Sequence, residues 1–288
     1  MKRFLLPLVF GVMPSVTFAA TAPGTDIWLV DLAVSEDGIR AGDPRNLTRR
    51  TGYDNQPAFL TSHSFLFTAM DASGQTDIWR YDLAGDSVTP MPPTPESEYS
   101  PLPAPGGEMS VVRVSLKGVQ QLWTLAPGAE AYELLFPLLE GVGYHAWLDD
   151  DRVALFMVRD PSELHIANRE TGKVVVLAKN IGRCLQVPPG ANDSIAFIED
   201  GQDGKRWIKR LDLADSRITP LAPVLEGSED FAFLPDGRLL MARQQALFAW
   251  SGEAWQQVAR FDALPGDITR LAVSPAANRL LMVVAEGN

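Results

Sequence analysis

A stretch of about 43 residues returns six times along this chain, and no other feature limits its fold so tightly. The segment Asp26-Ile27-Trp28-Leu29-Val30-Asp31-Leu32 reappears as Asp77-Ile78-Trp79-Arg80-Tyr81-Asp82-Leu83. Weaker copies centre on Trp123, His165, Lys209 and Phe248, at successive steps of 51, 44, 42, 44 and 39 residues. The long first step contains a polar, Gly-containing insertion from Ser35 to Pro44. A second register runs beside the first. Phe59, Pro103, Trp147, Val187, Phe233 and Val273 follow one another at 44, 44, 40, 46 and 40 residues. Each precedes a turn, clearest in Leu234-Pro235-Asp236-Gly237, and each turn leads into a short apolar run such as Phe65-Leu66-Phe67 or Ile195-Ala196-Phe197. The runs are rich in Val, Phe, Trp and Leu and bounded by Gly, Pro, Asp and Asn, which is strand and turn chemistry.

A further strand closes each unit, as in Tyr132–Phe136, Val174–Ala178 and Trp255–Ala259. Four strands in 40–45 residues is the arithmetic of a β-propeller blade. The expected fold is therefore all-β: a six-bladed β-propeller of four-stranded antiparallel blades. The chain enters on the third strand of a blade, at Asp26, and the last recognisable strand, near Val284, is a second strand. One blade is then split, with inner strands from about Arg270 to Val284 and outer ones from Asp26 to Thr48. Pairing of the N-terminal and C-terminal strands closes the ring and covers edges that an open array would expose. An all-helical fold fails because no window sustains a 3.6-residue period between the frequent Gly and Pro. A two-sheet sandwich would leave six evenly spaced copies unexplained.

The first nineteen residues read differently. Lys2 and Arg3 precede an apolar stretch from Phe4 to Met13, and Thr17-Phe18-Ala19 places small residues where a signal peptidase needs them. This is the pattern of a cleaved secretory signal, too short to span a bilayer. The expected organisation is a signal peptide at 1–19 and a single propeller domain at 20–288, with export to the periplasm or beyond. No later stretch approaches a transmembrane helix. Cleavage would move the formal charge from −11 to −13. That balance disfavours nucleic acid, whose phosphates the chain would repel. One cysteine, Cys184, excludes an internal disulfide and a thiolate zinc cluster, and three histidines leave little for a His-rich metal site.

The units resemble the TolB-type propeller repeat. The matching motifs are Pro57-Ala58-Phe59, Leu234-Pro235-Asp236-Gly237, Asp77-Ile78-Trp79, Tyr81-Asp82-Leu83 and Asn46-Leu47-Thr48, and in register they cover the whole mature chain. The resemblance implies a periplasmic propeller that binds envelope proteins and has no catalytic role. TolB itself carries an α/β domain before its propeller. Here the first blade strand begins at Asp26, seven residues past the predicted cleavage site, so the expectation is a TolB-like propeller rather than TolB.

In a propeller, the segments entering the innermost strands ring the mouth of the central channel. In the second register these carry Asp54, Asn55 and Gln56; Glu98, Tyr99 and Ser100; Tyr144 and His145; Arg183, Cys184 and Gln186; Ser228, Glu229 and Asp230; and Thr269 and Arg270. Alternating charge at close range points to a polar or zwitterionic ligand or the peptide tail of a partner, with ion pairs such as Arg183–Glu229 across the rim, and the TolB resemblance implies that the partner is an envelope protein or exported peptide. The alternative to a ligand site is a solvated polar rim. His145 is a candidate general base, set against a hydrogen-bonded structural histidine. His165 stands where other copies have Trp, so packing is its expected role, and His63 follows Ser62 in an exposed turn. Cys184 reads as a structural thiol. Trp207 lies outside the Trp register.

Catalytic motifs are missing: there is no Gly-x-Ser-x-Gly and no His-Glu-x-x-His. The expected protein is a non-catalytic, monomeric binding module without a cofactor. The alternative is a metal-dependent hydrolase of the lactonase-propeller type, in which Glu98, Asn55, Glu229 and Asp230 supply oxygen ligands to a divalent cation such as calcium on the axis.

Overall fold

The structure, a computed structural model, describes residues 23–201 and 204–287. It is a six-bladed propeller. Blade 1 comprises Asp54–Thr61, Ser64–Met70, Thr76–Asp82 and Ser87–Pro90, from the axis outward. Blade 2 starts at Ser97–Pro103, blade 3 at Val142–Trp147, blade 4 at Ile181–Gln186 and blade 5 at Phe231–Phe233. Blade 6 joins the two ends of the chain. Ile268–Val273 and Arg279–Ala285 form its inner half, and Thr25–Ser35 pairs antiparallel with Arg279–Ala285 over seven residues, from Thr25 opposite Ala285 to Asp31 opposite Arg279. The expected closure is present. The signal-peptide segment, 1–19, lies outside the described residues.

The alternation of each second strand explains its unbroken apolar character. Phe65 and Phe67 point into the interface with blade 6, whereas Leu66 between them points into the interface with blade 2. In blade 4, Ile195 and Phe197 face blade 3, while Ala196 and Ile198 face blade 5. A strand covered on both faces needs apolar residues at successive positions, because neighbours project to opposite sides. Six buried clusters result among the described residues, one in each interface between blades. Phe65 stacks on Tyr81 with ring centroids 5.1 Å apart in the first of these interfaces.

Two elements differ from the sequence expectation. The fourth strand of blade 2 is Glu133–Leu134, much shorter than Tyr132–Phe136. Tyr132 turns inward to bury its ring against blade 1, which ends the pairing. The polar insertion from Ser35 to Pro44 is a hairpin: Thr25–Ser35 runs eleven residues and folds back on Gly38–Ala41. The outer edge of blade 6 is consequently in two pieces, Gly38–Ala41 and Arg45–Asn46.

Candidate functional site

The innermost strands break register where they meet the channel. Shifts occur between Asn55 and Ala58, Tyr99 and Leu102, Val142 and Tyr144, Ile181 and Leu185, and Ile268 and Arg270. A bulge re-aims side chains out of the sheet. Gln56 and Ser100 hold positive φ, 55° and 52°, which costs a non-glycine residue roughly 1 kcal/mol or more. The surroundings support the bend: Asn55 Oδ1 accepts from Gln56 N at 2.8 Å, and Gln56 Oε1 accepts from Ser100 N at 2.7 Å and from Thr68 Oγ1 at 2.9 Å.

Gln56, Ser100, Tyr144, Cys184, Asp230 and Arg270 occupy one equivalent position per blade and together line an axial cavity of about 110 Å³. Arg270 of blade 6 crosses this space to blade 3, where it donates to Tyr144 Oη at 2.9 Å with its guanidinium carbon 5.1 Å from the ring centroid. Above this bar a wider cavity of about 450 Å³ opens at the mouth, lined by Tyr53, Asn55, Tyr144, Arg183, Glu229, Asp230, Thr269 and Arg270 among others. Arg183 pairs with Glu229 at 2.7 Å, the ion pair expected from sequence. Asp230 accepts from Leu271 N at 3.1 Å and lies 3.8 Å from Arg270. Burial raises the Asp230 carboxyl above its ordinary range, with Arg270 and Arg183 opposing. Burial also pushes the Tyr53 phenol up to about 12, against the pull of Arg270.

The expected mouth residues thus divide. Asn55, Tyr144, Arg183, Glu229, Asp230 and Arg270 line the mouth, and Gln56, His145 and Gln186 the axial cavity beneath it. Asp54, Glu98 and Tyr99 line neither. Asp54 is fully buried against Arg50, bonded at 2.9 Å through Arg50 Nε. Tyr99 packs between blades 2 and 3. Glu98 turns between blades 1 and 2, where Thr94 Oγ1 donates to it at 2.6 Å. The register shifts are the reason: simple alternation would not bring the adjacent Asn55 and Gln56 both to a cavity, and the bulged backbone re-aims them while Asp54, Glu98 and Tyr99 turn elsewhere. His145 is buried; its Nε2 lies 2.7 Å from Ser110 Oγ, and burial lowers its pKa to about 3. A ring that stays neutral near pH 7 but holds its Nε2 on Ser110 is a poor proton shuttle. Cys184 is buried too, its thiol pushed well above the ordinary value by burial and by Asp230.

His165 is buried with Glu163 at 2.9 Å, and His63 is exposed beside Arg279. Trp207 pairs with Glu199 and Pro223 on the third strand of blade 4 and lines neither cavity. Sequence reasoning missed Tyr53 and Thr25, which reach the mouth from beside the closing strand pair. Their signal was available: Tyr53 adjoins Asp54 and Thr25 starts the pairing. Of the oxygen set proposed for a metal, Asn55, Glu229 and Asp230 line the mouth together, and Glu98 lines neither cavity. Among the described residues no three His, Cys, Asp or Glu side chains are grouped to hold a metal.

No protein-family model matches the sequence, and no curated protein matches it. Solved structures do resemble it. A protein assigned as TolB from Agrobacterium tumefaciens superposes with a TM-score of 0.70 at 14% identity, covering 93% of this chain and 100% of that one. TolB from Acinetobacter baumannii gives 0.58 at 12%, over 92% of this chain, which spans 64% of that protein. A gluconolactonase of Xanthomonas campestris gives 0.66 at 10%, over 92% and 98%. At such identities the likeness is one of fold. The chain has the six-bladed fold of the TolB-type propellers. Among the described residues no helix is long and apolar enough to cross a membrane.

Proposed function

We propose that this is an exported, non-catalytic, monomeric propeller of the periplasm that binds an envelope protein or exported peptide at the mouth of its channel. One observation carries the reading: a cavity of about 450 Å³, to which several blades deliver paired charges and two tyrosines. Concave sites with convergent polar groups on a rigid frame are where ligands bind. The fold is shared by proteins described as TolB and by a gluconolactonase, so fold alone does not choose between binding and catalysis. The side chains favour binding. His145 is buried and engaged, Cys184 is a raised thiol, and Glu98, one of the four oxygen ligands expected for a metal, lines neither cavity.

The test is capture from envelope extract on immobilised protein. Thr269→Trp fills the mouth from an exposed position, and Arg217→Ala alters a distant exposed arginine on blade 4. Capture is expected to fall at least tenfold with Thr269→Trp and to survive Arg217→Ala. Equal capture by all three proteins would remove the mouth from the proposal.

A further inference from the structure

We infer that the mouth recognises a carboxylate, received between Arg183 and Arg270. This deepens the reading above and rests on it. The charged groups lining the mouth balance in number, with Arg183, Arg243 and Arg270 against Glu229, Asp230 and Asp267, but not in depth. Arg270 and Arg183 sit low, their side chains 14% and 27% exposed, with one acid, Asp230, beside them at 11%, whereas Glu229 is 55% exposed and Asp267 and Arg243 lie at the open rim. Asp230, the one low acid, already accepts the Leu271 N–H, and its distance of 3.8 Å from Arg270 is too long for a hydrogen bond.

The floor is therefore rich in donors. Arg270 has five N–H groups, yet among the described residues its side chain makes one hydrogen bond, to Tyr144. Arg183 Nε is buried without a partner. Beneath the bar, Ser100 Oγ and His145 Nδ1 are likewise buried and unpartnered on the wall of the axial cavity, in residues 7% and 4% exposed. Unsatisfied buried polar atoms are costly, and a guanidinium is best answered by the two oxygens of a carboxylate. Glu229 presents such a group to Arg183 from the loop before blade 5. It is the most exposed of the paired acids here, and it acts as a stand-in that an incoming carboxylate replaces. Tyr53 and Tyr144 flank the position and supply apolar surface beside the charge. The rim acids and the net charge of −11 exclude a polyanion, so the carboxylate arrives singly, on a neutral or basic carrier. Two carriers share this chemistry: the free C-terminus of a peptide and a small carboxylic acid.

Calorimetry on the full mature chain at pH 7 separates them. The probes are acetyl-Gly-Phe-Gly with a free C-terminus, the same peptide as its C-terminal amide, and butyrate. The free-acid peptide is expected to bind at least tenfold more tightly than the amide, as a charge-assisted pair implies. Arg183→Gln should lose about the same factor, and Arg183→Lys should recover only part of it, since an ammonium lacks the fork. Glu229→Gln should tighten binding severalfold by removing the competitor. Butyrate binding as well as the peptide supports the carboxylate and assigns the site to small acids; butyrate binding more weakly assigns it to a chain end. An amide equal to the acid, weaker binding by Glu229→Gln, or no binding of any probe overturns the inference. If envelope capture still fails with Thr269→Trp in those cases, the binding function stands and only its carboxylate reading falls.

Discussion

Glu98 and His145, both buried on innermost strands, respond to pH in opposite senses. Burial raises the Glu98 carboxyl to about 7, softened by the Thr94 hydroxyl, so the folded state prefers its protonated form. Its contribution to stability is complete below about pH 4.5 and is lost as pH rises to about 7. Burial lowers His145 to about 3, so its contribution is complete above about pH 6.5 and is lost as pH falls toward 3. Between pH 4.5 and 6.5 the two slopes oppose each other, each about 1.4 kcal/mol per pH unit. Glu98→Gln should remove one of them. Urea denaturation across this range should show the variant gaining on the wild type as pH rises, by roughly 1–3 kcal/mol up to pH 7. A difference independent of pH would place Glu98 in water instead. At this scale the sequence marked the right neighbourhood, since every expected residue lies on or just before an innermost strand. It did not mark which of two adjacent side chains enters the channel. Asp54 and Asn55 are neighbours of similar size, and only the bulge at Asn55 decides that Asn55 reaches the cavity while Asp54 turns to Arg50.

Strands were legible because both of their faces are apolar. Phe65-Leu66-Phe67 and Ile195-Ala196-Phe197 serve two interfaces each, and a pattern dictated by burial on both sides appears directly in the residue types. Edge strands carry no such demand. The two-residue Glu133–Leu134 and the hairpin inside Ser35–Pro44 were obscured because polar outer positions accept strand, turn or loop equally. The closing element is the most sensitive of all. Ile27 is fully buried on Thr25–Ser35 and packs with Leu281, Phe65 and Phe67 in the cluster between blades 6 and 1. Ile27→Ala should cost about 2–5 kcal/mol in chemical denaturation, as for other buried aliphatic truncations. A loss under 1 kcal/mol would mean that the N-terminal strand is not integral to the ring.

The ring as a whole brings the two ends of the described chain together. Glu286 N donates to the Gly24 carbonyl at 2.9 Å, and Gly52 N donates to Glu286 Oε1 at 3.2 Å. A circular permutant joining residues 24 and 286 through a short Gly-rich linker, with new ends between Lys117 and Gly118, should therefore fold. That turn is exposed: Leu116 is 87% accessible. Its melting temperature should stay within a few degrees of the parent, and its affinity for the mouth ligand should not change. A permutant that fails to fold would show that the chain must begin at blade 6. Six repeats, four strands per repeat and the split blade follow from the sequence alone, because spacing and apolar alternation are local properties that every blade must satisfy. The site does not. Arg270 meets Tyr144 and Arg183 meets Glu229 only when the blades have closed, since what joins these residues is the shared axis rather than any stretch of chain, and bulges too small to alter the residue pattern decide which side chains reach it.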